Sequence, residues 1–140
     1  PAETPAVAVT WDGGTRTVRP RPDGSFALAL RLRRPTVFRA TLGRVSSPRV
    51  RVAVAPTVVA RRSGAEILAR TSKARAGARA ALQRYERERF AWVTVARSRV
   101  DANARTRFDI PLGEGKRHFR VVVRGSAGWA DGASEPVVIG

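Results

Sequence analysis

The sequence predicts an all-β chain of two tandem antiparallel sandwich units, the first of them incomplete. Three observations carry that expectation. Apolar residues alternate with arginine and small polar residues at a period of two, as in SFALALRL, RVRVAV and FRVVVRG, which is the pattern of half-buried strands. Turn-forming Gly, Pro, Asn and Asp punctuate these runs at short, regular intervals, as in antiparallel sandwiches. A segment of the first half also recurs in the second. DGSFALAL, TVFRATLG and SSPRVRV run parallel to NARTRFDI, KRHFRVVVRG and ASEPVVI, so that Phe26 answers Phe108, Phe38 answers Phe119 and Pro48 answers Pro136. An internal repeat of this kind indicates two like units rather than one continuous fold.

Residues 1–5 read as a leader or linker, residues 6–55 as the incomplete first unit and residues 56–140 as the complete second one. In the first unit, strands are expected over 6–11, 15–19, 25–32, 36–42 and 49–54, with Asp12-Gly13-Gly14 and Asp23-Gly24 as turns because glycine accepts positive φ at little steric cost. Phe26, Leu28, Leu30 and Leu32 share one face, as do Phe38, Ala40 and Leu42, and Val50, Val52 and Val54 face inward. In the second unit, strands are expected over 57–61, 65–71, 79–86, 91–98, 105–110, 117–124 and 135–139. Residues 65–73 have fair helix propensity, but Gly77 interrupts the run and no 3.6-residue apolar stripe appears, so a strand is preferred. The first unit has too few strands for a sandwich. Its opening strands belong upstream, or a neighbouring chain fills the missing edge, and an open edge recruits strands.

Composition bounds function loosely. Lys plus Arg number 27 and Asp plus Glu 11, giving a net charge of +16, and Lys73 and Lys116 are the only lysines. Such a field attracts polyanions without choosing among them, and arginine enrichment also accompanies codon bias. There is no cysteine, which removes disulfides, thiolate metal sites and a cysteine nucleophile. Residue 1 is Pro rather than Met, consistent with a processed secretory start, and no apolar run approaches the roughly 20 residues of a membrane span.

At the level of longer motifs, residues 10–32 (TWDGGTRTVRPRPDGSFALALRL) resemble bacterial immunoglobulin-like repeats. Leu82-Gln83-Arg84, Trp92, Thr94-Val95-Ala96, Asp101, Phe108, Arg120 to Val123 and Pro136-Val137 resemble the pattern of immunoglobulin-like or fibronectin-III-like modules of actinobacterial secreted and cell-surface proteins. The second unit carries the better part of the likeness, and the first a looser one. DANAR stands where the family commonly has a glycine turn, and the first repeat is truncated. The resemblance implies a non-catalytic spacer, stalk, wall-associated subunit or binding accessory outside the cell.

No residue pattern supports catalysis, a cofactor or a metal. His118 is the only histidine, and no GxSxG, HExxH or phosphate-binding glycine loop is present. Asp101, Asp109 and Asp131 match no calcium-loop spacing. Three sets of residues remain as candidates. Val7, Val9, Trp11, Thr15 and Thr17 mark the expected assembly edge of the first unit. Arg97, Arg99, Arg105, Arg107 and Arg120 would bind phosphates or carboxylates if they shared a face, or else form a solvated surface. Trp129, in the loop GSAGWADGAS, either stacks on a ligand or folds back over the sandwich end. Trp92 reads as core. Self-association or another surface protein, and an anionic wall polymer or polysaccharide, are the expected partners. No element for sequence-specific nucleic-acid reading appears. The function so predicted is a structural, adhesive or self-assembling surface module, with two alternatives: a carbohydrate- or wall-polymer-binding module, and a phage or virion decoration subunit.

Overall fold

A computed structural model describes residues 5–140. The leader expected over 1–5 lies, except for Pro5, outside the described residues. The chain divides after Val54 into two compact units. Every strand pairing is antiparallel, and no α-helix occurs among the described residues.

The first unit contains β1 (Val7–Trp11), β2 (Gly14–Val18), β3 (Thr36–Leu42), β4 (Val45–Ser46) and β5 (Val50–Val52). They form one sheet in the order β2-β1-β3-β4, with β5 also paired to β3. The second unit contains β6 (Val59–Ser63), β7 (Glu66–Arg70), β8 (Arg79–Glu86), β9 (Ala91–Arg99), β10 (Arg105–Asp109), β11 (Arg117–Val123), β12 (Gly132–Ala133) and β13 (Val137–Ile139). These make two sheets, a small one of order β10-β7-β6 and a large one of order β12-β11-β8-β9, with β13 also on β11. Small and large sheets in this order, with the chain crossing between them after β7, β9 and β10, make an immunoglobulin-like or fibronectin-III-like sandwich.

Alternation along these strands fixes what lies between the sheets. Ile67, Leu82 and Phe119 are fully buried, with Val121, Val123, Phe108 and Ala80 around them. Burial of this kind is the main stabilising term of a unit this small. Residues 66–70 are a strand, as period and Gly77 indicated, and only Lys73–Arg75 coil into a 3₁₀ turn that Ser72 caps through its hydroxyl. In the turn DANAR, Ala104 sits at φ 62°, a region that L-residues enter only at a cost.

The strands of the first unit correspond to those of the large sheet of the second. In the second, β11 pairs β8 on one side and β12 and β13 on the other, and β8 pairs β9. In the first, β3 pairs β1 on one side and β4 and β5 on the other, and β1 pairs β2. Phe38 faces Val50 across its ladder as Phe119 faces Val137. The first unit is therefore the large sheet of the same sandwich. Residues 25–32 occupy the place of β10, yet they form no ladder, contrary to the strand expected there. The physical reason is the lack of a partner: β10 bonds to β7, and no described strand of the first unit holds the place of β7. The alternation survives from Leu28 onward, with Leu28, Leu30 and Leu32 half-buried and Ala29 and Arg31 exposed, but Phe26, expected on the same face, is 40% exposed where Phe108 in the second unit is buried.

The same absence corrects the expectation that Val50 and Val52 are enclosed. They lie on the inner face with Val7, Val9, Trp11 and Phe38 but remain 56% and 37% exposed, because no small sheet covers them. Among the described residues of this unit only Val7 and Val9 are buried hydrophobic ones, and Trp11 and Phe38 pack at 5.6 Å between ring centroids.

Candidate functional site

Three surfaces bear on function: the inner face and edge of the first unit, the outer face of the large sheet in the second, and the outer face of the small sheet in the second.

The residues expected at an assembly edge divide between two strands. Val7, Val9 and Trp11 stand on β1, which is hydrogen-bonded to β2 and β3 and so is an interior strand. That part of the expectation is corrected, because β1 has no free backbone groups to offer. Thr15 and Thr17 lie on β2, which is the free edge and is solvent-exposed. What Val7, Val9 and Trp11 provide is the apolar inner face beside that edge.

On the outer face of the large sheet, Arg120 lies opposite Gln83. Its Nε donates to Gln83 Oε1 at 2.8 Å, and its guanidinium stands 4.6 Å from the centroid of Trp92. Gln83 in turn donates to Thr94 Oγ1, and Tyr85 packs against Trp92 at 5.3 Å. Burial, and then the neighbouring Arg124, hold the Arg120 guanidinium below its usual pKa range, although an arginine keeps its charge at neutral pH. Trp92 is therefore not core, as its mid-strand position suggested. It lies on the outer face, and its own arginine covers it. This cluster ties Arg120 down and is a structural cover for the sheet.

Trp129 is half-buried. Arg75, 5% exposed, lies 5.5 Å from its ring centroid and donates to the Arg124 carbonyl at 2.8 Å and to Ser126 Oγ at 3.1 Å. The loop is closed by Asp131, which accepts from the Gly125 amide at 2.6 Å and pairs with Arg124 at 3.3 Å. The Gly125 bond lowers the Asp131 pKa against the opposing effect of burial, and Arg124 adds to the lowering. One face of Trp129 is thus occupied by Arg75. Asp101 is also used locally, accepting from the amides of Asn103 and Arg105. His118 lies on β11 opposite Val138. No group of His, Cys, Asp and Glu suited to a metal ion occurs among the described residues.

The arginines expected to form one strip do not. Arg97 and Arg99 project from β9 in the large sheet, opposite Ala81 and Arg79. Arg105 and Arg107 project from β10 in the small sheet. The chain changes sheet between them, through residues 100–104, so alternation alone cannot align the two pairs. Instead, register in the small sheet places Arg105 beside Arg70 and Val59, and Arg107 beside Leu68 and Arg61. Arg61 and Arg70 were not legible as site residues, because non-local strand pairing brings them in. Their one sequence signal is even spacing on strands already read as amphipathic. Arg99 closes the end of the same depression, whose volume is about 670 Å³.

No protein-family model matches the chain, and no characterised protein matches it. Among solved structures 18 chains match. One is the chicken interferon gamma receptor alpha chain, with a TM-score of 0.43 and 14% identity over 99% of this chain and 86% of that one. A likeness that distant carries no weight here, and the assignment of fold rests on strand order and register.

Proposed function

We propose that the chain is a non-enzymatic extracellular module that acts structurally, adhesively or by self-assembly, and that it associates through its first unit. One observation carries this: a sandwich half whose inner face, including Val50 at 56% and Leu42 at 38% exposure, has no opposing sheet. An apolar face that is buried at Val7 and Val9 but open at Val50, Val52 and Leu42, with an unpaired neighbouring segment, is a docking site for added strands, and residues 26–32 supply the backbone groups for them. A second copy of this chain or another surface protein chain would provide the strands.

Sedimentation velocity of the full 140-residue chain tests this. The expected result is a sedimentation coefficient that rises with concentration in moderate salt. Val50→Arg is expected to return the chain to monomer, and because Val50 is already exposed the substitution costs the fold little. A parent chain that stays monomeric at its highest soluble concentration contradicts the proposal.

A further inference from the structure

We infer that the outer face of the small sheet in the second unit, centred on Arg61, Arg70, Arg105 and Arg107, is a binding site for an acidic polysaccharide. Three features of the face support this.

The first is like-charge opposition. Arg70 and Arg105 are direct partners across the β7–β10 ladder, and Arg61 and Arg107 flank Leu68 in the next row. Like charges directly opposite each other on neighbouring strands destabilise a sheet unless something relieves them. The second is segregation. Of the carboxylates near this face, Glu66 and Asp109 sit together in the last row opposite Ser63, and Asp101, which also lines the depression, is engaged by the amides of Asn103 and Arg105. The salt bridges among the described residues involve only Arg84, Arg89 and Arg124, so none neutralises the four arginines. All four are exposed. The third is geometry. Rows two residues apart stand roughly 7 Å apart, and neighbouring strands stand about 4.8 Å apart. The four arginines are thus anchored on one face at spacings their side chains can span, each able to take a carboxylate or sulfate bidentately.

The face also discriminates among polyanions. It carries no aromatic side chain, so it lacks the stacking platform of a single-stranded nucleic-acid site, and no α-helix among the described residues is available to enter a duplex groove. Leu68 at its centre is half-buried and ringed by the four arginines, with Val59 beside Arg70, so charge outweighs the apolar or aromatic anchor of a protein interface. A polymer recognised by its charges alone fits, and acidic polysaccharide is that polymer outside the cell. The extracellular setting rests on the function proposed above, whereas the charge grid does not.

The test is titration calorimetry of the full chain with polygalacturonate and dextran sulfate, beside an oligothymidylate of similar charge, at physiological salt. The double variant Arg70→Gln/Arg105→Gln is expected to bind the polysaccharides about tenfold or more weakly. The double variant Arg44→Gln/Arg49→Gln removes the same charge from exposed positions of the first unit and is expected to change affinity less than about twofold, as a charge outside the site should under salt screening. Its thermal midpoint and that of the parent bracket the fold, and the Arg70/Arg105 variant is expected to melt no lower than either, because it removes a repulsion. Equal losses in the two double variants would show a generic polycation and overturn the site. Tighter patch-dependent binding of the oligothymidylate would overturn the ligand class. Failure of the first unit to assemble leaves this result standing, and failure here leaves assembly standing, because the residues are separate.

Discussion

Phe119→Ala is expected to destabilise the second unit by about 3–5 kcal/mol. Phe119 is completely buried and packs in the cluster that includes Leu82, Val121 and Ile67, so its removal leaves a cavity bounded by both sheets. A domain of this size holds on the order of 5–15 kcal/mol, and the loss takes a large share of it. Each kcal/mol is worth roughly 4–8 °C in melting temperature. The equivalent substitution in the first unit, Phe38→Ala, is expected to cost only about 1–2 kcal/mol, because Phe38 is half-buried and no second sheet faces it. Thermal melts of the two variants, followed by tryptophan emission and far-ultraviolet dichroism, measure the contrast directly. Comparable losses at both positions would mean that the first unit has a full core.

Gly132→Ala is expected to destabilise by about 1–3 kcal/mol or more through overpacking. Gly132 is buried on β12 opposite Val123, and a methyl group there would run into the backbone carbonyl and the ring of Pro56. Neither neighbour is a flexible side-chain end that can swing aside. The substitution therefore forces apart the segment that leads into β6 and the strand that closes the large sheet. A chemical denaturation curve with a lowered midpoint and an unchanged slope is the expected signature, and an unshifted midpoint would show that the two segments separate freely.

Much of this architecture was legible in the sequence, for identifiable reasons. The strand over 36–42 and those over 79–86 and 117–123 were readable because a period of two is a local property. The repeat was readable because Phe38 and Phe119 hold equivalent places in equivalent ladders. The alternation of Leu28, Leu30 and Leu32 was also real. Whether that alternation becomes a strand depends on a partner elsewhere in the chain, and no local pattern contains that information. For the same reason Trp92 was misplaced. Strand parity is shared by inward and outward residues, and only the register with Tyr85 and the cover of Arg120 decide the face. The basic surface was half legible. Arg105 and Arg107 share a face by alternation, but their companions Arg61 and Arg70 come from β6 and β7 through ladder register, while Arg97 stays on the other sheet.

The first unit is one sheet of a sandwich whose other sheet is absent among the described residues. Amide hydrogen exchange on the full chain at low concentration tests it most directly, since exchange reports whether a backbone group has a stable partner. The account predicts that amides of residues 26–32 exchange at nearly unprotected rates while those of β10, the equivalent strand in the second unit, are protected along with β8 and β11. Protection of residues 26–32 equal to that of β10 under the same conditions would contradict it.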